Sequence, residues 1–201
     1  MKRKIFYDKV KNTIQGSPRG SVYVASDFAN VAGNRTINRA LSRLEGEGLI
    51  RRVMRGIYEY PEFNAFLHEY VAPSPDSVAR AIARNYGWVI VPYGDTALNM
   101  LGMSSQVPAV WIYICDGAYR AYSFPNTRLE FKRTTNRDIS KVTYKTALVI
   151  QALKAIGRGN IDTVTTNKIS RLLTKNEKDI MLKEAQHATS WIYEVIKRIC
   201  K

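Results

Sequence analysis

Residues 34–60, NRTINRALSRLEGEGLIRRVMRGIYEY, constrain the fold more than any other stretch of the chain. Ile37, Leu41 and Leu44 recur at i, i+4 and i+7 with Ala40 alongside, so the segment from Arg35 to Glu45 is predicted to be a helix with one buried stripe. Asn34 stands where an N-cap is expected, and Gly46-Glu47-Gly48 where glycine ends a helix. Leu49–Val53 and Ile57–Tyr60 then read as two short strands joined by a turn at Met54-Arg55-Gly56, and Pro61 stops the second. Upstream, Ile5, Phe6, Val10 and Ile14 share a helical face over residues 4–15. A turn at 16–20, a strand at 21–24 and a short helix Asp27–Val31 capped by Ser26 complete the order helix, strand, helix, helix, strand, strand. That order predicts a winged helix-turn-helix over residues 1–61.

The residues left outside the buried stripe are the right chemistry for DNA. A recognition helix needs hydrogen-bond donors near its N-terminal end, where it enters the major groove. Asn34, Arg35, Thr36, Asn38 and Arg39 supply them. Arginine can bridge two acceptors on guanine and asparagine can pair with adenine. Arg43, a turn further on, is expected at a phosphate. Arg51, Arg52 and Arg55 fall on the wing, where cationic side chains meet backbone or minor groove. The competing reading is a winged fold that packs on protein, its arginines merely solvated.

Charge distribution favours the polyanion reading. The 201-residue chain carries a formal charge of +14. Residues 1–60 hold 12 Lys and Arg against 5 Asp and Glu, residues 61–133 hold 6 of each, and residues 134–201 hold 13 against 6. A neutral middle between two basic ends is not a uniform solubility charge. The basic C-terminal helices, with Lys168, Arg171, Lys175, Lys178, Lys183, Lys197 and Arg198, fit either a polyanion surface or a solvated bundle face. With 45% hydrophobic residues the chain can bury a core. No apolar run reaches the ~20 residues a membrane span needs, and no signal-peptide core follows the basic N-terminus, so a cytoplasmic location is expected. Cys115 and Cys200 lack metal spacing and read as free thiols.

Residues 62–201 read as a small α/β unit followed by helices, giving an α+β protein overall. After a link around Pro61–Pro75, a helix is expected from Ser74 or Asp76 to Tyr86, a strand at Trp88–Val91 and a short helix at Gly94–Leu101. A central strand follows at Ala109–Cys115. Asp116-Gly117 signals a hairpin into strands at 119–124 and 128–133. Helices are expected over 143–156, 164–173 and 175–199, the last with a capping box between Thr174 and Glu177.

Patterns for catalysis are missing. His68 lies in the link and His187 on the last helix, neither beside a ligand or base partner. Asp76, Asp95, Asp116 and Glu130 are scattered, with no carboxylate pair for two metals, and there is no P-loop. A non-enzyme without cofactor or metal is therefore expected. The alternative is a metal-dependent nuclease whose winged helix delivers nucleic acid to a separate site.

Several blocks resemble one family in order: ALSRLEGEGLIRRVMRGIYEYP at 40–61, SPDSVARAIAR at 74–84, YGDTALNMLGMSSQVP at 93–108, IYICDG at 112–117 and LEFKRT at 129–134. They are similar to the AbiEi-type antitoxins of bacterial abortive-infection (type IV) toxin–antitoxin systems, over roughly residues 20–135. The resemblance implies a winged-helix autorepressor that binds its own promoter. It also implies a cognate nucleotidyltransferase-like toxin, countered without a necessary direct contact. The antitoxic role would fall to residues 62–201, while Arg35, Thr36, Asn38 and Arg39 take recognition-helix positions and Arg51, Arg52 and Arg55 wing positions.

Overall fold

The structure is a computed structural model that describes residues 2–134 and 141–201. It is a mixed α+β protein whose chain divides into two compact units, residues 1–88 and 89–201. The sequence places a boundary at Pro61; the compact units divide at Trp88.

The first unit opens with α1 (Lys2–Gln15), β1 (Val22–Val24) and a 3-10 turn over Ala25–Phe28. Ser26 does not cap this turn. The Asp27 carboxylate instead accepts the Val24 N–H at 3.0 Å, because a carboxylate one residue further on reaches back across the turn. α2 (Asn34–Gly46) follows, then β2 (Arg51–Met54) and β3 (Ile57–Glu59), which form an antiparallel hairpin with a bulge between Arg52 and Met54. β1 pairs with the other edge of β3, so the three-stranded sheet runs β1-β3-β2. Ile37, Ala40, Leu41 and Leu44 of α2 are buried as their spacing requires. They pack with Val10 and Ile14 of α1, Tyr23 and Phe28.

The expected link at 61–75 holds structure of its own. β4 (Phe63–Asn64) and β5 (Glu69–Tyr70) form a small antiparallel hairpin with His68 in its turn. α3 (Pro75–Tyr86) begins at Ser74, whose hydroxyl accepts the Ser77 N–H. α3 packs on β1, the 3-10 turn and β3. Arg84 fastens it there, donating to Asp27 at 2.8 Å and to the Val22 carbonyl at 2.9 Å.

The second unit is a four-stranded sheet with helices. Its strands are β6 (Ile90–Pro92), β7 (Trp111–Cys115), β8 (Arg120–Phe124) and β9 (Thr127–Arg133), in the order β6-β7-β9-β8. The apolar run at 111–115 is a central strand, as its β-branched and aromatic content predicts. Asp116-Gly117, however, does not turn a hairpin. β7 pairs with β9 in parallel, and the hairpin joins β8 to β9 through Pro125 and Asn126, the latter at φ 56°. The Asp116 carboxylate instead accepts the Val89 N–H at 2.9 Å, which ties the start of β6 beside the end of β7.

α4 (Asp95–Met100), α5 (Tyr144–Ile156), α6 (Thr163–Arg171), α7 (Lys175–Glu184) and α8 (Ser190–Cys200) supply the helices. One apolar cluster joins them, including Leu101, Leu153, Ile169, Met181, Ile192 and Ile196. The capping box at Thr174 and Glu177 is present. The single helix expected over 175–199 is two helices, broken by a 3-10 turn at Ala185–His187 and an extended Thr189. Thr189 and Ser190 are poor helix-interior residues and good helix starters. The stripe Met181, Ala185, Ile192, Val195, Ile199 nevertheless stays buried on both sides of the break. No helix among the described residues is long and apolar enough to cross a membrane.

Candidate nucleic-acid interface

α2 presents two faces of opposite chemistry. Its buried stripe fixes its rotation against α1, so the remaining positions are forced outward. Arg35, Asn38, Arg39 and Ser42 stand at i, i+3, i+4 and i+7, which places them on one exposed strip. Asn34 is exposed and Thr36 half-buried. Asn34 is not the N-cap that its residue type suggested. Gly33 holds that place with extended backbone (φ −62°, ψ 152°), and Asn34 is the first helical residue, its side chain free of the capping bond. A missing side-chain cap leaves the first backbone N–H groups of α2 open to an external acceptor.

The six arginines of α2 and the β2–β3 hairpin fall into two sets. Arg43 is exposed but paired. Its Nε donates to Glu47 at 2.8 Å and its guanidinium lies 4.4 Å from the centre of the Tyr7 ring. Tyr7 donates its hydroxyl to the same Glu47 carboxylate, and Lys11 lies 3.9 Å from it. Burial, reinforced by the Glu47 charge, pushes the Tyr7 hydroxyl up to about 12. The bonds from Tyr7 and Arg43 hold the Glu47 carboxyl below its ordinary range.

Arg51 and Arg52 are also engaged. Arg51 faces Glu59 directly across the β2–β3 ladder and donates to it at 2.5 Å. Glu59 is only 1% exposed, so this cation compensates a buried carboxylate. Arg51 also donates to the Val71 carbonyl. Arg52 donates to Glu45 at 2.8 Å and to the Tyr58 hydroxyl at 3.2 Å.

Arg35, Arg39 and Arg55 form the second set. All three are exposed, and their side chains make no ion pair or hydrogen bond among the described residues. Arg55 sits at the tip of the β2–β3 hairpin beside Gly56, whose φ of 78° makes the tight turn. Of the nine residues singled out in the sequence, Asn34, Arg35, Thr36, Asn38, Arg39 and Arg55 remain available to a ligand. Arg43, Arg51 and Arg52 are committed to Glu47, Glu59 and Glu45. The i,i+4 spacing of Arg43 and Glu47 was a readable signal of the first commitment. The other two depend on strand register and on how the hairpin meets α2.

Elsewhere, His68 and His187 are both exposed. Cys115 is buried and Cys200 half-buried; both are free thiols, pushed up by burial. Among the described residues no group of three or more His, Cys, Asp or Glu side chains is placed to hold a metal ion.

A face of α2 and the tip of the β2–β3 hairpin in this α+β protein thus carry exposed arginines that make no ion pair among the described residues. The chain belongs to the DUF6088 family, a family of unknown function whose pattern matches residues 9–181. No curated protein matches it.

Proposed function

We propose that this protein is a DNA-binding autorepressor and antitoxin, with residues 1–61 acting as a winged helix-turn-helix. In this reading α2 lies in the major groove, β2 and β3 are the wing, and the 3-10 turn before α2 stands for the first helix of the motif. The observation that carries it is the division among the arginines. Acidic partners are provided for Arg43, Arg51 and Arg52, yet Arg35, Arg39 and Arg55 are exposed and without a partner among the described residues, at the two places where a winged helix meets DNA. Arg35, Asn38 and Arg39 would read base edges, and Arg55 a phosphate or the minor groove. The open N-terminus of α2 favours a phosphate as well.

The antitoxin part rests on the ordered sequence blocks that resemble AbiEi-type antitoxins, which pair with a nucleotidyltransferase-like toxin. Double-stranded DNA of its own promoter and that toxin are accordingly the proposed partners, and a bacterial cytoplasm the proposed setting. The test has two arms. Fluorescence anisotropy with the DNA upstream of its own gene should give salt-dependent, sequence-specific binding. Co-expression with a neighbouring nucleotidyltransferase-like gene should restore growth. Failure to bind any DNA at low salt would favour a protein-binding winged fold. Turnover of labelled DNA or RNA with magnesium or manganese would favour the nuclease alternative.

A further inference from the structure

The β4–β5 hairpin displays apolar side chains to solvent. Phe66 is 89% exposed, Leu67 57%, Tyr70 56% and Phe63 52%. Isolated exposed apolar residues are ordinary, but a contiguous set marks a contact surface. This tip is also held in shape. The Asn64 side-chain oxygen accepts the backbone N–H groups of Phe66 at 3.0 Å and Leu67 at 3.1 Å. The Phe63 and Tyr70 rings meet edge-on at 5.3 Å. Arg51 pins the base of the hairpin through the Val71 carbonyl and lies 5.7 Å from the centre of the Tyr70 ring. A preorganised tip loses little conformational freedom on binding.

Its charge separates it from the DNA face. In a chain of net charge +14, no Lys or Arg occurs from Gly56 to Ala79. Exposed Glu62 and Glu69 flank the apolar tip. Such a surface repels phosphate and suits an apolar depression rimmed by cations. The chain itself carries one. A cleft of about 330 Å³ at α7 and α8 is lined by Leu182, Tyr193 and Cys200, with Lys183, Lys197 and Lys201 around it. Lys197 is shared with Glu194 at 2.5 Å, whereas Lys183 and Lys201 have no acidic partner among the described residues.

We propose that the β4–β5 hairpin of one copy docks in the α7–α8 cleft of a second copy. Phe66 and Leu67 fill the cleft, and Glu62 and Glu69 face its lysines. The contact is heterologous, so copies associate head to tail, and each pair leaves one hairpin and one cleft free for a further neighbour.

Sedimentation of the full chain across a dilution series tests this without DNA. The wild type should associate reversibly, more weakly as salt rises. Phe66→Asp should weaken association by roughly thirtyfold or more, as loss of a central apolar anchor does. The double variant Lys183→Glu with Lys201→Glu should do the same. All these positions are exposed, so circular dichroism and melting temperature should stay at wild-type values. Mixing the two variants gives the sharpest result. One supplies an intact cleft and the other an intact hairpin, so together they should form a one-to-one complex and stop there. A chain monomeric at every concentration overturns the proposal, as does association untouched by Phe66→Asp. Loss of association in the hairpin variant but not in the cleft variant would mean hairpin-to-hairpin contact and would also overturn it. A mixture of folded variants that fails to associate is equally fatal to it.

Discussion

Arg51 and Arg55 lie four residues apart on one hairpin and stand in opposite settings, one paired and one exposed. Arg51 compensates Glu59, a carboxylate 1% exposed. Arg51→Ala leaves that charge buried without its partner and should destabilise the first unit by about 1–3 kcal/mol, with the larger values more natural for a charged group. Arg55→Ala removes an exposed side chain that makes no ion pair or hydrogen bond among the described residues, so its melting temperature should be unchanged. On the proposed function, its binding should weaken on all DNA sequences, with the slope of log K against log salt reduced by about one. Arg35→Glu with Arg39→Glu should abolish discrimination between operator and random DNA, each lost bidentate contact being worth about 1–3 kcal/mol. Circular dichroism should show the fold intact. Equal binding by this double variant would remove α2 as the reading element.

At the scale of the element, α1 and α2 are joined by packed apolar stripes and by the clasp of Tyr7, Glu47 and Arg43. The clasp has a pH signature. The unfolded Tyr7 hydroxyl ionises near 10.0 and the folded one near 12, so the folded state keeps a proton that the unfolded state loses. Its contribution is complete below pH 10 and is lost as pH rises towards 12. Thermal melts of wild type and Tyr7→Phe should therefore converge over that range. The Glu47 carboxyl, held low, acts in the opposite sense: its contribution is present above its unfolded value of 4.5 and fades as pH falls through the lower folded value. At the other end of the chain, Thr174→Ala removes the cap of α7 and should cost about 1 kcal/mol, read from the urea midpoint.

Across the whole molecule, the division at Trp88 decides what can be cut away. α3 packs on β1, and Arg84 ties it to Asp27 and to the Val22 carbonyl. A fragment of residues 1–88 should fold cooperatively and carry the proposed DNA binding, whereas a fragment of residues 1–61 uncovers one side of β1 and should melt broadly or aggregate. Circular dichroism melts and anisotropy on both fragments check this. Survival of the 1–61 fragment with a sharp transition would make α3 dispensable to the first unit.

Periodicity and punctuation carried much of the local structure. The buried stripe of α2, the stop at Gly46–Gly48, the β2–β3 turn at Gly56 and the Thr174–Glu177 cap were legible because each depends on neighbours within about one helical turn or one tight turn. The failures share a cause. Asp116-Gly117 looks like a hairpin turn, but whether β8 returns beside β7 or beside β9 depends on which strand completes the sheet. The break at Ala185–Thr189 depends on how two helices pack on one core. The same holds at the candidate site. Residue types and spacing alone determined that α2 has a cationic outer strip and that a basic turn follows it. Only the tertiary structure decided which cations are available, because Arg51 meets Glu59 through strand register and Arg52 meets Glu45 through the approach of the hairpin to α2. Charge is a property of the sequence, but its neutralisation is a property of distance.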